Sequence, residues 1–466
     1  MAMLGVGAAG VVGLLVGLSA AEALPGGPMS IVFMLVLCCV PVGLVVSPEL
    51  LVYAVVSYAF VVDWVTKDLG LLPDQSAWVV EMLILLLIVR VVAQRFNRRW
   101  KLGLPLVLLF VAVVVASLAS PAAGTPTEVM VAGLRNHLRF PVLGCAIALL
   151  PWRRDSEIRL WVLLLALGSL QVLTAIPESR VVSNPDGVTG TLGPGMTGIQ
   201  AMFLAPLSAA CVIWAYSLKG ALRKGVALAL GAALLLPVFL GAAWAGLLAF
   251  PIALAGSLAI RQRRLPRAVG VLLVVLVVAI PFASLGLQLG RELYSKSPAV
   301  VPNLTSPQGF MEYEATSSAV NPARVARLAW TVRWWSASPV TDKLVGYGPG
   351  SASPSALGPE FDGPLLAIPM VRLMTLSASR ILLELGLLGL VAVVLVIVYS
   401  GVVARRVVLS RHGSVYAPPF VMLGGMAFVV FYGLFYTDVW MQPGAAVVYW
   451  VLIGFAVSRK RQIESQ

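Results

Sequence analysis

Charge is what this sequence most lacks. Only 11% of its 466 residues are Asp, Glu, Lys or Arg, against about a quarter in a soluble domain. That scarcity excludes a water-soluble globular enzyme, a disordered chain and a coiled coil, each of which needs many charged positions. Histidine is rarer still, with two copies, His137 and His412. The four cysteines, Cys38, Cys39, Cys145 and Cys211, all sit inside apolar runs. They read as small buried hydrophobes, not as a disulfide framework or a metal site. No P-loop, no Gly-x-Ser-x-Gly elbow and no Asp-x-Asp pair occurs. The expectation is chemistry without a metal and without a cofactor.

What abounds is apolar sequence. Hydrophobic types make up 59% of the chain, and the mean hydropathy is +0.95. A membrane-crossing helix needs about 20 apolar residues, and such runs recur from end to end. Fourteen are legible, at about 4–24, 30–47, 48–66, 77–95, 103–121, 136–151, 158–176, 196–217, 225–241, 242–260, 268–289, 378–403, 416–436 and 441–458. The first has no basic flank and is followed by more spans, so it reads as a helix, not a signal peptide. The second and third share one run, and the sixth is short and carries Arg139. The fold class expected is therefore an all-α polytopic membrane protein with 12–14 transmembrane helices. Residues 1–289 form the N-terminal helices, 290–377 a large loop and 378–466 the C-terminal helices.

Positive charge orients these spans. The 33 Lys and Arg exceed the 20 Asp and Glu by 13. In a soluble domain that excess would point to nucleic acid; here its distribution does not. Six basic groups, beginning at Arg90, Arg153, Lys219, Arg261, Arg405 and Arg459, are separated by pairs of apolar spans. The positive-inside tendency puts them, and both termini, in the cytoplasm. Twelve basic residues remain on the other face: Lys67, Arg135, Arg139, Arg180, Arg291, Lys296, Arg324, Arg327, Arg333, Lys343, Arg372 and Arg380. Gathered arginine on the outer face points to an anionic ligand; the alternative is ordinary loop solvation.

The loop near 290–377 is Pro-, Ser- and Gly-rich but keeps Trp, Tyr and Arg. It reads as a helical extracytoplasmic cap, since loops this long are seldom bare connections. Asn321-Pro322 is a helix-start pair. Beyond it, Val325, Leu328, Val332 and Trp335 share one helical face, and Arg327, Trp330, Arg333 and Trp334 the opposite one, with Arg324 at the boundary. The first face is expected to pack down on protein or lipid. The second would offer guanidinium groups to phosphate and indoles to sugar rings, unless the helix is merely an interfacial anchor. In Leu344–Gly350, glycines alternate at 346, 348 and 350. The amides of Gly348 and Gly350 could approach a ligand there, or the segment could be a plain turn. Arg135 and Arg139 are one turn apart and so share a helix face. Glu312, Glu314, Asp362 and His137 are the outer-face bases available. Glu384 lies inside a span, where a carboxylate is costly unless paired; Arg380 is its expected partner. Asp63, Glu81 and Asp438 sit near outer ends and are assigned no special role.

Arg327-x-x-Trp330, then Pro339, then Leu344-Val-Gly-Tyr-Gly-Pro-Gly350 resemble the signature of the O-antigen ligase and polymerase superfamily. Leu382-Leu-Glu-Leu-Gly-Leu-Leu-Gly-Leu390 resembles that family's helix after the large outer loop, and Thr189-Gly-Thr-Leu-Gly-Pro-Gly195 its Gly-Thr stretch. The order of elements matches along most of the chain, the motifs themselves over about forty residues. The resemblance implies transfer of glycans from undecaprenyl diphosphate outside the cytoplasmic membrane. Family arginines hold the diphosphate, and Arg327 matches one of them. Gly187 stands where another is expected, with Arg180 as its nearest substitute. The histidine of the ligases, about nine residues before Glu384, is Thr375 here. That favours an exopolysaccharide or O-antigen polymerase over a ligase.

The site expected on this basis has Arg327, Arg180, Glu314 and His137 in catalysis. Arg135, Arg139, Arg324, Arg333, Arg372, Trp330, Trp334, Gly348 and Gly350 bind substrate. The partners implied are an undecaprenyl-diphosphate-linked glycan, membrane lipid and other polysaccharide assembly and export proteins, with no nucleic acid. A flippase or transporter for a lipid-linked sugar is the rival; it would place polar residues at mid-membrane, often in paired repeats. A scaffold subunit of an export complex is a third reading.

Overall fold

The structure is a computed structural model. It describes residues 46–72, 76, 78–95, 103–182, 187–241, 244–264, 266–267, 270, 324–355, 359–373, 376–410 and 418–465. Among them all regular structure is helical. The helices are α1 Pro48–Asp63, α2 Val79–Arg95, α3 Leu104–Ala119, α4 Thr127–Leu149, α5 Arg154–Val181, α6 Thr197–Ala215, α7 Ala221–Leu240 and α8 Trp244–Ala259. After these come α9 Arg324–Ala337, α10 Val340–Val345, α11 Pro369–Arg372, α12 Ser377–Ser410, α13 Pro418–Leu434 and α14 Pro443–Glu464. Local chemistry sets several starts. Ser47 Oγ accepts the Leu50 amide at 3.3 Å ahead of Pro48, and proline also opens α3 and α14.

Eleven of the expected apolar runs coincide with helices. The runs at 4–24, nearly all of 30–47 and nearly all of 268–289 lie outside the described residues, as does 290–323 of the cap. Five helical stretches are long and apolar enough to cross a membrane: 48–68, 155–181, 197–215, 221–240 and 377–410. The sixth run differs most. It was expected at 136–151, but α4 begins at Thr127 and runs 23 residues. Its first half carries polar residues, of which Arg135, His137 and Arg139 find partners in other elements, described below.

The centre of the bundle is α6, flanked by α7, α8 and α13. Phe203 of α6 meets Phe60 of α1 edge-on at 4.5 Å, and Ser257 Oγ of α8 donates to the Val421 carbonyl of α13 at 3.0 Å. Cys145 and Cys211 are free and buried, as small hydrophobes would be. At the periphery, α3 exposes Leu104, Val107, Val111, Val114 and Leu118, and α12 exposes Leu388, Val391, Leu395, Val398 and Val402. Apolar stripes at i, i+3/i+4 spacing turned outward suit acyl chains rather than water. In the cap, α9 to α11 dock on the end of α12 through a small core of Ala352, Val371 and Leu383.

Candidate functional site

A break in α12 organises the site. Gly386 has φ 65° and ψ −164° inside an otherwise helical run. Only glycine occupies that region at low cost, and a Cβ there would overlap the Leu344 carbonyl. The break frees backbone carbonyls of the preceding turn, and the cap takes them. Tyr347 N donates to the Leu383 carbonyl at 2.8 Å and Gly348 N to that of Glu384 at 3.0 Å. The Leu344–Gly350 segment and the Leu382–Leu390 segment, 36 residues apart at these bonded positions, are thus one structural unit.

The Glu384 side chain completes it. It is fully buried and accepts the amides of Gly350 at 3.0 Å and Ala352 at 3.1 Å. His137 Nε2 of α4 lies 2.6 Å from its Oε2. Three partners satisfy a carboxylate that would otherwise be prohibitively desolvated. Gly350 has φ 84° and lies against Gly133 of α4, where a Cβ on either residue would strike the other's backbone. Thr125 Oγ1 donates to the Tyr347 carbonyl at 2.7 Å. The Tyr347 hydroxyl meets Trp334 Nε1 at 3.1 Å and Ser338 Oγ at 2.7 Å. A continuous polar chain therefore runs from α4 through the glycine turn to α9.

Three expectations change here. The partner of Glu384 is not Arg380. Arg380 bonds Asp438, which also accepts from Ser377 Oγ at 3.0 Å; the glycine turn occupies Glu384 instead. His137 is buried and bonded to Glu384, so it holds the loop rather than facing a substrate. The amides of Gly348 and Gly350 are likewise spent on α12.

Beside this unit lies an arginine pair. Arg135 Nη2 and Nε reach Glu81 Oε1 of α2 at 2.6 and 2.9 Å. Arg139 Nη1 reaches the same oxygen at 3.3 Å, and its other nitrogen bonds the Met441 carbonyl. Arg135 also lies over the Trp78 ring, 4.5 Å from its centroid. Arg380 Nη1 is 3.9 Å from Met441 Sδ, so the two groups adjoin. Three guanidiniums thus gather around the carboxylates of Glu81 and Asp438. Glu81 and Asp438, assigned no role from sequence, are the counter-ions. A narrow cleft opens at Arg135, lined also by Ala132, Asn136, Ser353, Ser355 and Phe361.

The other expected residues are dispersed. On α9, Thr331 is the buried position, and Trp330 and Trp334 stack at 5.1 Å and pack against the core of Ala352, Val371 and Leu383. Val325 and Val332 are exposed. The face expected to pack down on protein or lipid is thus divided, with Leu328 and Trp335 half-buried, and the opposite face packs as well, through Trp330 and Trp334. Arg324 lies 4.0 Å over the Tyr436 ring, and Arg327 is half-buried on the inner side. Arg333, Arg372 and Arg180 are exposed. None of the three shares a carboxylate with Arg135 and Arg139 among the described residues. Glu312, Glu314 and Thr375 lie outside the described residues. Asp362 Oδ1 accepts the Ser355 amide at 2.7 Å and braces its loop.

The Gly-Thr stretch has its own anchors. Glu178 of α5 accepts the amides of Thr189 and Gly190 at 3.0 and 2.7 Å, and Gln171 accepts that of Thr191 at 3.0 Å. Sequence reasoning missed Glu81, Asp438, Glu178 and Gln171. Polar residues inside or at the mouth of apolar runs were the available signal. No family model matches the chain, and no curated protein matches it.

Proposed function

We propose that the protein is a membrane glycosyltransferase. It polymerises undecaprenyl-diphosphate-linked glycan at the outer face of the bacterial cytoplasmic membrane, on a bundle of 12–14 spans with cytoplasmic termini and the cap outside. The observation that carries the reading is the Arg135–Glu81–Arg139 group, two guanidiniums on one carboxylate. It lies beside a cleft bordered by the glycine turn whose motif resembles the family's. In the reaction the acceptor hydroxyl oxygen attacks the anomeric carbon and the bond to the diphosphate oxygen breaks. Undecaprenyl diphosphate leaves with the electron pair, and the hydroxyl proton passes to a base. Arg135 and Arg139 would stabilise the charge that grows on the leaving diphosphate, with Arg327 of α9 reaching it from the cap side. Purified protein in nanodiscs, supplied with lipid-linked repeat units, should form polymer, and Arg327→Ala should abolish growth. Unchanged polymer in that variant removes Arg327 from the mechanism.

An O-antigen-type ligase is the nearest alternative; the absence of histidine at Thr375 weighs against it. A flippase for the same lipid is favoured by one observation, the interruption of α12 at Gly386 beside a buried Glu384–His137 pair. Transporters use interrupted helices in this way. Movement of the lipid-linked sugar across proteoliposomes without a new glycosidic bond would decide for it.

A further inference from the structure

The cap carries apolar side chains that its own core does not use. Val325 and Val332 of α9 are 59% and 45% exposed, and Val340 and Leu344 of α10 are 69% and 43% exposed. Leu344 stands where an outward stripe of the bundle ends. The Leu344 carbonyl abuts Gly386 so closely that a Cβ there would overlap it. Leu344 is therefore adjacent to Leu387 and Leu388, where the exposed stripe of α12 begins. On the other side, Gly348 abuts Ser120, just past Leu118 at the end of the stripe on α3.

The same element is basic. Residues 324–345 contain Arg324, Arg327, Arg333 and Lys343 against Asp342 alone. Trp335 Nε1 donates to the Lys343 carbonyl at 2.9 Å and ties α9 to α10. Apolar residues on one side with Arg, Lys and Trp beside them are the composition of an element lying in a headgroup boundary. Water offers nothing to four exposed aliphatic side chains, of which Leu344 adjoins the acyl-facing stripe of α12.

We infer that α9 and α10 rest on the bilayer, with Val332, Val340 and Leu344 set into the acyl boundary and Arg333 and Lys343 at the level of the lipid phosphates. The partner is a phospholipid surface. This deepens the proposed function, since a lipid-linked donor would approach the cap through that boundary, but it rests only on the membrane embedding and not on glycan transfer.

Photolabelling of the unaltered protein tests it. The chain is placed in nanodiscs of phosphatidylethanolamine and phosphatidylglycerol with a trace of phospholipid bearing a diazirine near the carbonyl end of one acyl chain. After illumination, adducts are mapped by mass spectrometry. Adducts are expected on 325–344 as well as on the Val391–Val402 stripe of α12. Labelling of α12 with none on 325–344 overturns the inference and leaves the glycosyltransferase reading untouched. Labelling of neither overturns the membrane embedding and the inference with it.

Discussion

His137 and Glu384, 247 residues apart in the chain, meet at 2.6 Å with neither side chain open to solvent. The contact joins α4 to the interrupted α12, and the same carboxylate holds the glycine turn through two amides. It is the joint on which the cap is mounted.

Removing the carboxylate should therefore unseat the turn. Glu384→Ala leaves an imidazole and two amides without their acceptor, and breaking a buried charged network costs about 3–5 kcal/mol. A large fall in melting temperature in detergent is expected, with faster hydrogen exchange at 346–352. Glu384→Gln keeps one acceptor oxygen and should fall less. Equal exchange in wild type and Glu384→Ala would show that the turn stands without the joint.

The break in α12 should not tolerate a side chain. Gly386→Ala forces a Cβ into a positive-φ region, which alone costs about 1–3 kcal/mol, and against the Leu344 carbonyl. Thermal unfolding should show at least that loss. Retained stability with a straightened α12 would mean that the interruption is incidental.

Much of this was legible in the sequence and some was not, for identifiable reasons. Apolar runs of span length declared α5, α6, α7 and α12, because burial of 20 apolar residues dominates other terms. The start of α4 was hidden, because Glu128, Arg135, Asn136, His137 and Arg139 dilute its hydropathy; the partners of Arg135, His137 and Arg139 lie in other elements. Arg380 was matched to Glu384 because a one-turn spacing is the contact visible in a linear chain, whereas Asp438 and Gly350 are distant. That the Trp330–Trp334 face of α9 also packs on protein was hidden, because the hydroxyl that receives the Trp334 N–H belongs to Tyr347, 13 residues on in the glycine turn.

Loosening the cap by a single atom should be measurable. Tyr347→Phe removes the hydroxyl that joins Trp334 and Ser338, with an expected cost of about 1–2 kcal/mol. Limited proteolysis within α9 should quicken while unfolding of the bundle changes little. An unchanged cleavage rate would show that stacking of Trp330 on Trp334 suffices.

Glu81 competes with any anion for Arg135 and Arg139. In Glu81→Gln the pair loses its counter-ion, so inorganic pyrophosphate should bind about tenfold more tightly, which corresponds to roughly 1.4 kcal/mol. The gain should shrink as salt is raised. Calorimetry on the solubilised protein reads both. Weaker binding in Glu81→Gln would mean that Glu81 shapes the pair rather than occupying it.

The most direct test is the rate of polymer growth on lipid-linked repeat units with Arg135→Gln in nanodiscs, alongside its melting temperature. The guanidinium pair is expected to stabilise the departing diphosphate, so the rate should drop by about 10²–10³-fold while the fold persists, because Arg139 still holds Glu81. A wild-type rate in a folded Arg135→Gln protein would contradict the assignment of that pair to the diphosphate.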